Sequence, residues 1–222
     1  MDAVPGWLEE EVTVGPEGMP LPGTLAVPDG ASGLVLFAHG SGSSRHSPRN
    51  RFVAEVLQQA GLATLLFDLL TEAEGRDRGN VFDIPLLASR LAAAADSIGG
   101  FPAVSGVPMG FFGASTGAGA ALWAAAEPSS RVSAVVSRGG RPDLAAERLA
   151  QVLAPTLLIV GQLDTAVLEL NRHAQALMRC PNDLQLVPGA THLFEEPGTL
   201  QTAALLARDW FVRHFGESSD PG

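Results

Sequence analysis

Short apolar runs that alternate with longer helix-forming segments constrain the fold of this 222-residue chain more than any other feature. Strands that are buried on both faces of a parallel sheet appear as continuous apolar runs, and the segments between them cover the sheet. Six such runs occur, at 34–38, 63–67, 108–112, 132–137, 156–160 and 184–187. Helices are predicted at 49–60, 83–98, 116–126, 143–151, 165–178 and 199–215. The pattern predicts an α/β fold with a mostly parallel central sheet and helices on both faces.

The two ends of the chain depart from this alternation. Residues 9–14 and 23–27 predict an antiparallel hairpin within residues 1–30, because Pro- and Gly-rich turns surround them. The tail at 217–222 is predicted to fray. Between 132 and 156 no insertion is long enough for a cap domain. We therefore expect a single domain over residues 1–222, without a cap and with an open site.

Composition narrows the possible partners. The formal net charge is −10 and the pI is near 4.8, which disfavours nucleic acid and anionic membranes, since phosphate backbones bind clustered Lys and Arg. One cysteine, Cys180, excludes an intramolecular disulfide. No signal peptide or membrane-spanning run is evident in the sequence. These features predict a cytoplasmic protein, and they leave its oligomeric state open.

The segment 113–117 carries the main chemical motif. It reads Gly-Ala-Ser-Thr-Gly and matches G-x-S-x-G, the strand-to-helix turn that lifts a nucleophilic serine above a sheet. An apolar strand candidate precedes it and an Ala-rich helix candidate follows. A side chain at either glycine would clash across so tight a turn. The motif predicts Ser115 as a nucleophile, the alternative being a glycine-rich turn with an idle serine.

A serine nucleophile needs a base and an acid, which follow it in the chain order Ser, Asp, His in this kind of site. His192 follows the last predicted strand and is the expected base. Asp164 follows the strand before it and would hold the imidazole in the correct tautomer. Helix capping is the alternative role for Asp164, and Asp143 is the rival acid.

The loop after the first predicted parallel strand reads His-Gly-Ser-Gly-Ser-Ser over 39–44. Its position predicts a second donor for the oxyanion hole, Ser41, beside the backbone N–H of Thr116. The same glycines do not fit a phosphate loop, because the required lysine is missing, nor a dinucleotide fingerprint, because the third glycine is missing. No cofactor is expected. No His and carboxylate cluster has metal-ligand spacing, so no metal is expected either.

These motifs together resemble the α/β-hydrolase superfamily, and within it the small dienelactone hydrolase-like proteins that lack a lid. The similar stretches are 38–43, 113–117, 160–164 and 188–194. The resemblance covers roughly residues 30–215 and implies the hydrolase fold, the triad and acyl transfer through a covalent serine ester. Dienelactone hydrolase itself is recognised by a cysteine nucleophile, whereas this chain has Ser115. A carboxylic ester is therefore the safer expectation for the substrate than a dienelactone.

Basic residues in the loops at the predicted active-site edge suggest a way to bind an anionic substrate. They are Arg45, His46, Arg138 and Arg141. Arginine presents a planar fork that suits carboxylate or phosphate. The alternative is structural, with Arg138 and Arg141 pairing with Asp143, Asp164 or loop carbonyls. The charged stretch 72–83 is either a mobile flap beside the pocket or a solvated loop.

The resulting hypothesis is a serine hydrolase that cleaves carboxylic esters of small or extended small-molecule substrates. A thioesterase, an amidase or an acyltransferase could use the same triad. A non-catalytic binding module on the same scaffold is the alternative from a different class, because fold does not fix function.

Overall fold

A computed structural model describes residues 6–217 of the chain. Its strands are β1 Trp7–Val14, β2 Leu21–Pro28, β3 Leu34–Ala38, β4 Ala63–Phe67, β5 Met109–Ala114, β6 Val132–Arg138, β7 Thr156–Gly161 and β8 Asn182–Val187. Its α-helices are α1 Pro48–Gln59, α2 Glu72–Gly75, α3 Arg78–Val81, α4 Ile84–Gly99, α5 Thr116–Ala125, α6 Thr165–Leu177 and α7 Thr199–Glu217. Of the predicted frayed tail, only Glu217 lies within the described residues, where it ends α7.

All eight described strands form one sheet in the order β1-β2-β4-β3-β5-β6-β7-β8. The hairpin β1–β2 is antiparallel and joins β4 in the antiparallel sense, whereas β4, β3, β5, β6, β7 and β8 run parallel. This arrangement confirms the predicted α/β-hydrolase fold and the N-terminal hairpin. Strand β5, which leads to Ser115, lies near the middle of the sheet. The carboxyl ends of the parallel strands therefore meet around it.

Apolar side chains are buried on both faces of the sheet, as the continuous apolar runs predict. Along β3, Leu34 and Leu36 belong to the core that α4 and α5 cover, whereas Val35 and Phe37 belong to the core that α1 and α7 cover. The alternation follows from the two-residue period of a strand. Helices cover both faces of the sheet, and the loops at its carboxyl edge are left to form a site.

Two segments differ from the sequence prediction. The charged stretch 72–83 contains the short helices α2 and α3, and a capping box between Thr71 and Glu74 stabilises the first of them. Arg90 of α4 donates to Glu74 at 2.7 Å, which ties this segment to the body of the protein. The predicted helix 143–151 is a 3-10 segment, Pro142–Gln151, with non-helical torsions at Ala145. Within residues 6–217, no helix is long and apolar enough to cross a membrane.

Candidate active site

Ser115 lies between the end of β5 and the start of α5 in a strained backbone conformation, with φ 51° and ψ −122°. A non-glycine residue at positive φ is uncommon and costs roughly 1–3 kcal/mol, so it persists only where the surroundings impose it. The flanking glycines explain how the turn is possible. A Cβ at Gly113 would lie 2.4 Å from the Ala118 Cα, and one at Gly117 would lie 2.1 Å from the Ala38 carbonyl oxygen.

Asp164 and His192 lie in direct contact. The His192 Nδ1 is 2.7 Å from the Asp164 Oδ2, and the Asp164 side chain is only 14% exposed. Asp164 occupies the N-cap position of α6, yet its side chain makes no capping hydrogen bond. The rival acid, Asp143, accepts two hydrogen bonds of 2.8 Å from Arg141. In this geometry the carboxylate of Asp164 is free to orient the imidazole.

The loops that carry Asp164 and His192 are held together by backbone hydrogen bonds. The Gln162 N–H donates to the Val187 carbonyl at 3.0 Å, and the Leu163 N–H donates to the Ala190 carbonyl at 2.9 Å. This close approach needs a glycine, because a Cβ at Gly161 would lie 2.5 Å from the Ala190 carbonyl oxygen. The pairing of acid and base is thus fixed by the backbone of two neighbouring strand ends.

Ser115 and His192 line one cavity of about 230 Å³, which we call the catalytic cavity. Its other lining residues are Gly40, Ser41, Ser43, Ser47, Arg49, Asn50, Ala114, Arg138, Gly139 and Leu193. They come from the ends of β3, β5 and β6, from the start of α1 and from the histidine loop. The structure therefore brings together four expected residues, Ser115, His192, Ser41 and Arg138. It adds Arg49 and Asn50, which the sequence prediction had missed.

The two residues that are expected to supply the oxyanion donors are joined by a hydrogen bond. The Ser41 N–H donates to the Thr116 Oγ1 at 2.7 Å, so a substrate oxygen must compete with that hydroxyl for this donor. Thr116 is the first residue of α5, where backbone N–H groups lack intrahelical acceptors. The loop also lies very close to the nucleophile, since a Cβ at Gly40 would be 3.1 Å from the Ser115 Cβ.

His39 stabilises the 39–44 loop, which we call the oxyanion loop, and the sequence prediction had not assigned this role to it. Its Nδ1 lies 3.0 Å from the Gly40 carbonyl oxygen, and its Nε2 lies 3.2 Å from the Leu69 nitrogen, whose N–H it accepts. These partners require the Nδ1–H tautomer of a neutral ring. Burial lowers the pKa of His39, and its contact with Gly40 and the charge of Asp68 offset this only in part. Neutral His39 thus links the oxyanion loop to the residues after β4.

Three of the four basic residues expected to bind substrate do not line the catalytic cavity. Arg45 pairs with Glu11 and Asp68, and His46 accepts a hydrogen bond from the Arg45 Nε at 3.2 Å. Arg141 is held by Asp143, a contact that raises the pKa of the guanidinium. These pairings turn the charges of Arg45 and Arg141 towards the protein's own carboxylates. The substrate role expected for these two residues and for His46 stays a prediction.

Arg138 alone of the four lines the catalytic cavity. It is 8% exposed, and its guanidinium lies 5.9 Å and 5.8 Å from the ring centres of Phe112 and Phe194. Its Nη2 donates a hydrogen bond of 3.4 Å to the amide oxygen of Asn50. Burial, with a smaller contribution from the charge of Arg49, lowers the pKa of Arg138 to about 10. The expected partners Asp143 and Asp164 are engaged elsewhere.

A larger cavity of about 660 Å³ lies on the other side of the oxyanion loop, and we call it the side cavity. Leu69, Leu70, Val81 and Leu87 contribute apolar walls, and Thr116 and Ser41 line it next to the site. The side cavity is walled by α2 and α3. The charged stretch 72–83 is thus part of a pocket wall, and the open, shallow site expected from the sequence is flanked by a sizeable recess.

Comparison with known proteins decides the family. No protein-family model matches the chain. The structure matches dienelactone hydrolase from Anabaena variabilis with 55% identity and a TM-score of 0.91, over 94% of this chain and 98% of that one. The chain belongs to the dienelactone hydrolase family. Its members adopt the α/β-hydrolase fold, and Est1E from Butyrivibrio proteoclasticus shares that fold at 15% identity with a TM-score of 0.79.

A second comparison concerns a longer protein. Two curated sequences from Mycobacterium tuberculosis strains, each named "Putative phosphoribosyl transferase", are 61% identical over 212 residues. The match covers 96% of this chain but only 48% of theirs, so the chain spans about half the length of these relatives. Their name describes the whole of the longer protein. The chain described by this structure corresponds to only one part of it.

Proposed function

We propose that the protein hydrolyses carboxylic esters through an acyl-enzyme on Ser115, with His192 as base and Asp164 as the orienting acid. The observation that carries the proposal is the convergence of Ser115, on its strained turn, and His192, bound to Asp164, on one cavity. Membership of the dienelactone hydrolase family supports the same reaction class.

The reaction follows from these positions. Asp164 accepts the Nδ1–H of His192, which leaves the Nε2 free to take the proton of the Ser115 hydroxyl. The serine oxygen forms a bond to the ester carbonyl carbon, and the carbonyl oxygen becomes an anion. His192 then donates its proton to the departing alcohol, which leaves an ester on Ser115. Water, deprotonated by the same imidazole, releases the acid and restores the serine.

The oxyanion is stabilised by donors at the start of α5 and in the 39–44 loop. The Thr116 N–H and the positive end of α5 face the turn that carries Ser115. The Ser41 N–H becomes available when the substrate oxygen replaces the Thr116 hydroxyl as its acceptor. A developing negative charge is a stronger acceptor than a neutral hydroxyl, so this exchange favours the transition state over the ground state.

We assign the phosphoribosyl transferase activity in the name of the longer relatives to the part of those proteins that this chain does not match. The matched part has a hydrolase fold with a serine on a nucleophile turn, which is suited to acyl transfer. The assignment predicts that this chain alone has no phosphoribosyl transferase activity when it is given phosphoribosyl pyrophosphate and a panel of nucleobases.

The test of the esterase is covalent labelling by a fluorophosphonate together with hydrolysis of short 4-nitrophenyl esters. We expect labelling at Ser115 and turnover, both lost in Ser115→Ala. Ser129→Ala, in the turn after α5 and outside the catalytic cavity, is the matched control and should behave like the wild type. A folded protein that neither reacts with the probe nor cleaves any ester would refute the proposal. Comparing oxygen esters, thioesters and anilides then separates an esterase from a thioesterase or an amidase.

A further inference from the structure

Arg138 is a buried cation in the catalytic cavity that the proposed acyl transfer does not use. Its side chain is 8% exposed, and its Nη1 atom is buried with no hydrogen-bond partner among residues 6–217. Its neighbours Phe112, Phe194 and Asn50 carry no negative charge. A buried charge is normally paired, because an unpaired donor at this depth destabilises the folded protein. The unpaired donors therefore indicate a place for an anion.

The cavity itself supplies no such anion. Its lining residues, all within the described range, include no Asp or Glu. The Phe112 and Phe194 rings stabilise the cation only in part, since a cation–π contact supplies neither a hydrogen-bond acceptor nor a full negative charge. Arg138 also ends β6, next to Gly139, and its backbone is fixed by the sheet. Its backbone is thus held in place, and its side chain lines the same cavity as Ser115.

A second positive group lies on the same cavity. Arg49 lines the cavity from the first turn of α1. Its positive charge contributes to lowering the pKa of Arg138. Ser47 caps this helix and also lines the cavity, so the positive end of the α1 dipole points there too. The only carboxylate paired with Arg49 in the described chain is Glu195, 3.4 Å away and 64% exposed. An exposed pair of this kind is largely screened by solvent.

The number of positive groups decides which anion fits. Two guanidinium groups and a helix N-terminus, with no carboxylate between them, match a phosphate monoester, which carries a charge of about −1.5 to −2 and three acceptor oxygens. A carboxylate carries only one negative charge, whereas the two guanidinium groups carry two positive charges. An arginine guanidinium can also donate two parallel hydrogen bonds to two oxygens of one phosphate group.

We propose that the protein hydrolyses esters that carry a phosphate monoester group, and that Arg138 and Arg49 bind this group beside Ser115. The proposal rests on the esterase function proposed above and names its substrate class. The phosphate is bound and keeps its P–O bonds. The bond that breaks is the ester bond between the acyl carbon and the alcohol oxygen, with Ser115 as nucleophile and water as the final acceptor. A cavity of about 230 Å³ holds a small phosphorylated ester.

The test uses three acetate esters that differ in one end group: 2-acetoxyethyl phosphate, 3-acetoxypropionate and neutral 2-methoxyethyl acetate. We expect kcat/KM to be about tenfold or more higher for the phosphate than for either other ester, because charge-assisted bonds to a phosphate are strong. In Arg138→Gln and in Arg49→Gln this preference should fall to near one. Arg141→Gln, whose side chain lies outside the cavity, should keep it. Equal rates for the three esters, or a preference for the carboxylate, would overturn the proposal.

A binding measurement separates this proposal from the esterase itself. Calorimetric titration of phenyl phosphate into Ser115→Ala should show binding, and adding Arg49→Gln should weaken it by about tenfold or more. The partly exposed Arg49 gives a variant that is expected to fold even if Arg138→Gln does not. Ester turnover without phosphate binding contradicts the subsite and leaves the esterase standing. Phosphate binding that depends on Arg49, without turnover of any ester, supports the subsite and contradicts the esterase.

Discussion

The Nδ1 atom of His192 lies 2.7 Å from the Oδ2 atom of Asp164, although 28 residues separate them in the chain. Asp164 occupies the N-cap position of α6, where an aspartate often caps the helix, but its side chain contacts the histidine instead. The contact gives up a capping bond that typically stabilises a helix by about 1 kcal/mol. The Asp164 carboxylate therefore contacts the imidazole of His192 at the expense of this capping bond.

Replacing Asp164 with Asn should therefore lower kcat by about 10³- to 10⁴-fold, because the amide favours the wrong imidazole tautomer while it preserves the shape of the side chain. Asp143→Asn is the matched control. It breaks the ion pair with Arg141 but leaves His192 oriented, and kcat should stay within about threefold of the wild type. Steady-state kinetics on a neutral 4-nitrophenyl ester measure both. Similar losses in the two variants would contradict the assignment of the acid.

Replacing Arg138 with Met should stabilise the fold. Burial lowers the pKa of Arg138 to about 10, which means that the folded protein disfavours its charged form. A methionine fills the space between Phe112 and Phe194 without that charge, and we expect the free energy of unfolding at pH 7 to rise by about 1 kcal/mol. Urea denaturation measures it. A loss of stability would show that the cation is needed by the fold rather than by a ligand.

The free energy of unfolding should decrease as the pH falls below about 6.5, and His39 should account for part of the decrease. Its pKa is lowered in the folded protein, so below 6.5 the unfolded chain binds a proton that the folded protein does not. The contribution of His39 to the free energy of unfolding is complete above pH 6.5. It decreases as the pH falls from 6.5 to the lowered pKa of His39, by at most about 1.4 kcal/mol per pH unit. Urea midpoints at pH 7.5, 6.5 and 5.5 give the slope.

His39→Gln tests the origin of that slope, because an amide can donate to Gly40 and accept from Leu69 without titrating. The variant should show a shallower decrease between pH 7.5 and 5.5 than the wild type. His46→Gln, which replaces an exposed histidine of the same loop, is the control and is expected to keep the wild-type slope. An unchanged slope in His39→Gln would rule out this source of the pH dependence.

Gly117→Ala should destabilise the protein and abolish activity together. The added Cβ would lie 2.1 Å from the Ala38 carbonyl oxygen and 2.6 Å from that of His39, so β3 and α5 must move apart. Overpacking of this kind costs about 1–3 kcal/mol or more. Gly75→Ala in α2 is the control, since its Cβ would meet no atom within 4 Å. Thermal melting should show a lower midpoint for Gly117→Ala only. Equal midpoints would contradict the tight packing of the turn.

The sequence was sufficient to predict most of the fold, because continuous apolar runs belong to strands that are buried on both faces. It also predicted that Asp164 and His192 would meet, since both follow strands whose carboxyl ends lie at one edge of the sheet. It did not predict the 3-10 geometry of Pro142–Gln151 or the short helices in 72–83. Such short segments lack a long periodic pattern, and their conformation depends on what they pack against.

The sequence by itself determined the order of the chemical groups along the chain: Ser115 between two glycines, then an aspartate and a histidine after successive strands. Only the tertiary structure decided what each basic side chain contacts. Arg141 and Arg138 are three residues apart, yet the first lies against Asp143 and the second lies between two phenylalanine rings on the catalytic cavity. An arginine side chain is long and flexible, so its partner is set by the charges and surfaces that the fold brings near it.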